Sequence, residues 1–153
     1  MILTDFLPAR RDRSWDYALQ AGVSHAIVRC HPRDTDLPPP YELDTLRTIQ
    51  RRFADAGITV YGLEGDEFDM QRIKLGRPGR DEDIERYQRM LHHLGELGIP
   101  LLCYNFMATL GWCRTHTHVP TRGGALTNRF QLTALPPEPV AETDRISAEQ
   151  LWE

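Results

Sequence analysis

The sequence predicts an α/β fold built on a parallel sheet, and two observations carry that prediction. A helix-like pattern ending in glycine recurs three times, at Gly22, Gly57 and Gly98, and a short apolar run follows each glycine. Glycine suits the left-handed position just past a helix end, and short apolar runs without strict alternation are typical of strands buried on both faces. Helices and strands therefore alternate along the chain, which favours parallel pairing with right-handed crossovers.

Each predicted helix has an apolar stripe at steps of three and four residues. The stripes run through Trp15, Ala18 and Leu19; through Leu43, Leu46, Ile49 and Phe53; and through Ile84, Tyr87, Leu91, Leu94 and Leu97. Asp81 is expected to cap the third helix. With residues 1–6 as an opening strand, the predicted order is β-α-β-α-β-α-β.

The first loop decides between two parallel architectures. A doubly wound sheet usually has a glycine-rich phosphate loop after its first strand, but Leu7-Pro8-Ala9-Arg10 occupies that place here. A barrel is therefore favoured, and four strands are half of an eight-stranded one. The predicted fold class is a partial (β/α)8 TIM barrel, with about four parallel strands and flanking helices, truncated before barrel closure. Residues 1–108 are assigned to its first βα units.

Residues 109–145 are rich in Thr, Arg, Gly and Pro. Long irregular connections of this kind are usually functional loops or disordered segments, so this range is interpreted as an active-site or substrate loop region. Ser147 and Gln150 then form an S-x-x-Q capping box, with Ile146 and Leu151 as its hydrophobic staple. Residues 146–153 are therefore predicted to begin the next barrel helix, and the chain is expected to be a truncated piece.

Composition excludes several classes of function. The formal net charge is −4, with no basic stripe for nucleic acid and no polybasic run for a membrane. Apolar stretches stay well below the roughly 20 residues of a membrane helix. The odd cysteine count, without CxxC spacing or a secretory signal, indicates a cytoplasmic protein with reduced thiols.

Reacting groups in parallel α/β proteins gather at the carboxyl ends of strands. That rule selects five candidates for a substrate pocket: His31, Glu64, Tyr104, Asn105 and Arg114. Three of them also have a plain structural interpretation. His31 can be a loop histidine before Pro32, Glu64 a strand-end carboxylate, and Arg114 a solvated arginine. The neighbouring acids Asp66 and Glu67 are expected to be solvated, and Cys30 and Cys103 to be small core residues.

At the fourth strand the residues resemble a known family. The stretch Gly98-Ile99-Pro100-Leu101-Leu102-Cys103-Tyr104-Asn105-Phe106-Met107 resembles the G-I-x-x-x-C-Y-N-F-M-P pattern of mannonate dehydratases. Trp112, Arg114 and Thr115 match that family's following D-W-T-R-T motif. The sequence departs from the family at Gly111, where Asp is usual, and at Ala108, where Pro is usual. Around His116 and His118 an acidic residue is usual.

The resemblance implies a carbon–oxygen lyase with a xylose-isomerase-like barrel. Such an enzyme dehydrates D-mannonate to 2-keto-3-deoxy-D-gluconate in hexuronate catabolism, and it is a possible homo-oligomer. The resemblance also implies a divalent metal, Mn²⁺ or Fe²⁺ or else Mg²⁺. The ligands of that metal come from later strands, so no metal ligand is assigned in this chain. A general base and a general acid are implied, and neither role is assigned to a residue.

Two alternatives remain open. The first is a related TIM-barrel isomerase or epimerase that acts on another sugar or sugar acid. The second is a non-enzymatic, degenerate half-barrel. On either enzymatic interpretation the 153-residue chain is expected to be an inactive fragment.

Overall fold

The computed structural model describes residues 1–109, 113–135 and 146–152. The chain divides into two compact units, Met1–Ile73 with Arg77–Asn105, and Lys74–Gly76 with Phe106–Glu153. The first unit carries a four-stranded parallel sheet in the order β1-β2-β3-β4. Its strands are β1 (Thr4–Leu7), β2 (His25–Val28), β3 (Thr59–Glu64) and β4 (Leu101–Cys103).

Helices connect these strands in the predicted alternation. They are α1 (Arg13–Gln20), the short α2 (Pro32–Thr35), α3 (Leu43–Ala54), the short α4 (Gln71–Lys74) and α5 (Arg80–Glu96). Four parallel strands flanked by helices confirm the predicted fold class, and the described strands do not close a barrel.

The three repeated glycines end helices as predicted. Gly22, Gly57 and Gly98 have φ angles of 78°, 78° and 67°, in the left-handed region that favours glycine. In each case the amide of the next residue donates to the carbonyl five residues back, as Val23 does to Ala18 at 2.9 Å. This geometry is a Schellman motif, and it satisfies carbonyls that the helix leaves unpaired.

The hydrophobic core lies between the sheet and its helices. Leu7, Val28 and Leu63 occupy neighbouring positions on three strands and are almost fully buried. From the helices, Trp15 and Phe53 pack with ring centroids 4.0 Å apart. The stripes predicted for α1 and α3 supply this core, although Leu19 of α1 is 37% exposed.

Helix α5 is rotated relative to its predicted stripe. Its buried residues are Asp83, Met90 and Leu94, whereas Ile84 and Leu91 are exposed. The predicted Asp81 cap is also wrong, because the helix is capped by Gly79 without a side-chain hydrogen bond. The physical reason is an ion pair: the Asp83 carboxylate is drawn inward by two arginines, as described below.

A β-bulge interrupts the pairing of β2 with β3. Ala26 lies opposite Val60 and Ile27 lies opposite Gly62, so Tyr61 is an extra residue. The bulge changes which side of the sheet the following residues face. As a result Val60 and Leu63 both join the core, while Glu64 is exposed.

Gly62 lies where β3 and β4 approach closely. A Cβ on Gly62 would come within 2.8 Å of both Cβ and the carbonyl oxygen of Leu101. We expect Gly62→Ala to destabilise the chain by about 1–3 kcal/mol, since backbone must move to relieve the overlap. Gly95, inside α5, has open space around its Cα, and Gly95→Ala should stabilise by about 0.5–1 kcal/mol. Urea unfolding of both variants measures the contrast, and a Gly62→Ala chain as stable as the parent would contradict it.

The second unit contains an antiparallel hairpin of β5 (His116–Pro120) and β6 (Leu126–Arg129). The sequence did not predict these strands, because their side chains are mainly polar and exposed. Helix α6 (Ala148–Trp152) follows the predicted capping box. The box is confirmed, because the Ser147 amide donates to Gln150 Oε1 and the Gln150 amide donates to Ser147 Oγ. The Leu151 side chain of the expected staple lies outside the described part.

Candidate functional site

Four of the five predicted pocket residues lie at the carboxyl edge of the parallel sheet. Glu64 ends β3 and pairs in register with Cys103, the last residue of β4. Tyr104 and Asn105 follow Cys103 directly, and His31 follows shortly after β2. Glu64 and Tyr104 are exposed, while His31 and Asn105 are half-buried. Because all four strands are parallel, these residues share one edge, and their role in substrate binding stays a prediction.

Arg114, the fifth candidate, belongs to the second unit. Its side chain is exposed, and its Nη1 donates to the Cys113 carbonyl at 2.9 Å. Gly111 and Trp112, which belong to the same sequence motif, lie outside the described residues.

His31 is held in one orientation by the helix it precedes. Its Nδ1 accepts a hydrogen bond from the Arg33 amide at 3.2 Å, which caps α2. Burial lowers the pKa of His31, and the neighbouring Arg29 lowers it further. With Nδ1 engaged as an acceptor, the proton of the neutral ring is assigned to Nε2. His31 is therefore suited to donate a hydrogen bond near neutral pH.

Glu67 was expected to be solvated, and that expectation is wrong. It is 1% exposed, and its Oε2 accepts a hydrogen bond from the Cys30 amide. Its Oε1 is buried without a hydrogen-bond partner among the described residues. Burial raises the pKa of Glu67 to about 8, so this carboxyl is mainly protonated at neutral pH. Perturbed carboxyls of this kind gather at functional sites.

Cys30 behaves as the core residue that the sequence predicted. It is fully buried, and burial, followed by the nearby Glu67 and Asp34, raises the pKa of its thiol well above the usual value. A thiol held in this protonated state is a poor nucleophile.

Arg29 is a second residue that sequence reasoning missed. The sequence predicts a strand that runs to Cys30, whereas β2 ends at Val28, which makes Arg29 the first residue of the carboxyl edge. Its Nε lies 3.3 Å from Asp34 Oδ2, and its stem lies against Gly65. The signal for Arg29 in the sequence is a basic residue that directly follows an apolar run. The strand-end rule selects Arg29 if the end of the strand is placed at Val28 instead of Cys30.

A metal site is not formed by the described residues. Among them, no group of three or more His, Cys, Asp or Glu side chains is placed to hold a metal ion. The described residues therefore do not supply a site that fits the divalent metal implied by the resemblance. None of the described helices has the length and apolarity needed to cross a membrane.

Known proteins with similar sequences are mannonate dehydratases. The enzyme from Brachyspira hyodysenteriae is 37% identical over 94 residues, which cover 61% of this chain and 26% of that protein. The enzyme from Lactococcus lactis subsp. lactis is 29% identical over 105 residues, which cover 69% of this chain and 29% of that protein. The chain thus matches between a quarter and a third of the length of these relatives.

The fold has a counterpart among solved structures. Mannonate dehydratase from Streptococcus suis serotype 2 superposes with a TM-score of 0.76 at 24% identity, covering 98% of this chain and 45% of that one. A family model described as D-mannonate dehydratase (UxuA) matches residues 15–151. With the parallel sheet and its carboxyl-edge residues, this match over most of the sequence shows that the chain belongs to the D-mannonate dehydratase family.

Proposed function

We propose that the protein is a mannonate dehydratase, a hydro-lyase that converts D-mannonate to 2-keto-3-deoxy-D-gluconate in hexuronate catabolism. Membership of the family over residues 15–151 is the observation that carries the proposal. We place the reaction in the cytoplasm, with Mn²⁺, Fe²⁺ or Mg²⁺ as cofactor and with D-mannonate as the small-molecule partner. A homo-oligomer is part of the same proposal.

The carboxyl edge offers groups suited to a hydroxylated acid. The Glu64 carboxylate can accept hydrogen bonds from substrate hydroxyls, and the Asn105 amide can both donate and accept. His31 presents Nε2–H as a donor, because its Nδ1 is occupied by the Arg33 amide. Tyr104 adds an exposed aromatic ring with a polar hydroxyl. Together these groups can bind and orient a polyol chain.

The reaction requires removal of a proton next to a carboxylate and departure of the neighbouring hydroxyl. The first step needs a general base, and the second is assisted by a general acid. A divalent cation supplies electrophilic stabilisation of the negative charge in enzymes of this kind. The described residues contribute substrate contacts to this scheme, and we assign neither proton-transfer role to any of them.

A complete product of the gene tests the proposal. It should convert D-mannonate to 2-keto-3-deoxy-D-gluconate in the presence of millimolar Mn²⁺, with the Streptococcus suis enzyme as a positive control. Formation of an epimer or a ketose isomer instead would contradict the proposal. That result would favour the related isomerase or epimerase.

The 153-residue chain alone is expected to show no measurable turnover of D-mannonate. It matches 26% of the length of the Brachyspira enzyme, and its sheet leaves β1 and β4 without a second neighbour among the described strands. Exposed strand edges of this kind favour association over a formed active site. The measurement is the same product assay at matched protein and metal concentrations, and turnover near that of the Streptococcus suis enzyme would contradict the expectation.

A further inference from the structure

A small cavity opens where β1 and β2 reach the carboxyl edge. It has a volume of about 290 Å³ and is lined by Phe6, Leu7, Pro8, Ala9, Arg10, Arg29 and Asp34. We call it the β1–β2 cavity. Apolar walls with a few charged groups are typical of small-ligand sites, and this volume is near the lower end of their range. The charged groups of its lining are the guanidinium groups of Arg10 and Arg29 and the carboxylate of Asp34.

Arg29 forms an ion pair through one side of its guanidinium group. Its Nε lies 3.3 Å from Asp34 Oδ2, without the geometry of a hydrogen bond. The Arg29 stem packs beside Gly65, where a Cβ would lie 3.6 Å from Arg29 Cδ, an ordinary van der Waals contact. Within the described residues, the terminal amino groups Nη1 and Nη2 have no hydrogen-bond partner. The two terminal amino groups of an arginine form a planar fork that matches a carboxylate.

Arg10 provides a second cation at the same cavity. Its Nη1 is paired with Asp36 Oδ2, and Arg10 is one of the residues that line the cavity. Asp34 and Asp36 both come from the α2 region, so one short segment positions both arginines. Arg10 therefore follows β1 and Arg29 follows β2, and Glu64 ends the next strand, β3.

We propose that the β1–β2 cavity binds the carboxylate of a small hydroxy acid, with Arg29 gripping it through Nη1 and Nη2. The inference rests on the proposed function, because it assigns the acid group of that substrate. It makes Arg29 a specificity-determining residue that separates sugar acids from neutral sugars and polyols. Arg114, the arginine that the family motif selects, is not required for this contact.

Binding measurements on the 153-residue chain test the proposal. D-mannonate and D-mannitol form a matched pair, since they share a hydroxylated six-carbon chain and differ in the carboxylate. At low ionic strength, where charge interactions are least screened, titration followed by NMR chemical shifts should show D-mannonate binding and much weaker D-mannitol binding. Equal binding of the two, or binding of neither, would overturn the proposal.

Variants then identify the arginine. Arg29→Gln should weaken D-mannonate binding by roughly tenfold or more, because hydrogen bonds to charged groups are strong. Arg29→Lys keeps the charge but lacks the fork, so its affinity for D-mannonate should lie between those of the parent and Arg29→Gln. Arg33→Gln is the control, since Arg33 is exposed and lies outside the cavity lining. Circular dichroism establishes that each variant folds, and unchanged affinity in either Arg29 variant would overturn the assignment.

The outcome is separable from that of the proposed function. If Arg29 governs acid binding but the complete gene product turns D-mannonate into an epimer, the proposed function fails and the carboxylate site stands. If dehydration is observed and Arg29→Gln leaves KM for D-mannonate unchanged in that product, the carboxylate site fails and the proposed function stands.

Discussion

Glu67→Gln is expected to remove a pH dependence from the stability of this chain. The pKa of about 8 in the folded chain lies above the ordinary glutamate value of 4.5, so folding favours the protonated carboxyl. The stability that this preference contributes is complete below pH 4.5 and is lost as the pH rises to about 8. Between these two pH values the free energy of unfolding of the parent should fall by about 1.4 kcal/mol per pH unit relative to that of Glu67→Gln.

Glutamine is the appropriate replacement because it copies the neutral carboxyl. Its side-chain oxygen can still accept the hydrogen bond that the Cys30 amide donates to Glu67. Urea unfolding at pH 5, 6.5 and 8 measures the difference, with Glu85→Gln as a control at an exposed position of α5. Parallel pH profiles for the parent and Glu67→Gln would show that Glu67 does not titrate in this way.

The charged groups around Glu67 come from several elements. Arg29 lies after β2, Asp34 lies on α2 and Asp66 is its near neighbour in sequence, and all three influence the pKa of Glu67. Glu67 in turn contributes to the raised pKa of Tyr87 on α5, for which burial is the largest cause and Tyr104 the next. Arg29 favours the ionised form of Glu67, but burial outweighs it.

Asp83→Ala should destabilise the first unit far more than Asp81→Ala, although both residues lie in the first turn of α5. The Asp83 side chain is 3% exposed and accepts hydrogen bonds from Arg72 Nε and Nη2, each at 2.6 Å, and from Arg86 Nη1 at 2.9 Å. The Asp81 side chain is 93% exposed. Removing a buried, hydrogen-bonded charge is expensive, whereas an exposed one contributes little.

The expected loss for Asp83→Ala is about 2–3 kcal/mol, below the full cost of breaking a buried pair, because both arginines can turn towards solvent. Asp81→Ala should stay within about 0.5 kcal/mol. Both variants lose the same helix-terminal charge interaction, so that effect cancels in the comparison. Thermal and urea unfolding at pH 7 measure both, and equal losses would contradict a structural role for the Arg72–Asp83–Arg86 cluster.

Much of the fold could be predicted because its signals are local. Glycine at a helix end and apolar residues at helical spacing are properties of a few neighbouring residues, so Gly57 and the Leu46–Phe53 stripe were recognised correctly. The stripe predicted for α5 is correct at Leu94 but wrong at Ile84 and Leu91, which are exposed. Near the start of the helix the buried residue is Asp83, which pairs with two arginines, and one of them, Arg72, comes from a different element. A polar residue buried by distant partners leaves no periodic signal.

The candidate site was predictable in position but less so in chemistry. The strand-end rule placed His31, Glu64 and Asn105 at one edge, since parallel pairing alone decides that. Glu67 was missed because its burial depends on how the loop after β3 folds back onto Cys30. Arg29 was missed because the end of β2 was placed two residues too late.

The bulge at Tyr61 limits how this strand can change length during evolution. With Tyr61 as an extra residue, Leu63 faces the helices and Glu64 faces away from them. Deleting one residue at the bulge would restore strict alternation and leave Leu63 opposite Val28 in the core, with Glu64 still exposed. A strand of the same length without the bulge would instead turn Glu64 towards the apolar core and remove Leu63 from it. A relative that lacks the bulge should therefore either be one residue shorter within β3 or, at the same length, carry an apolar residue where Glu64 stands.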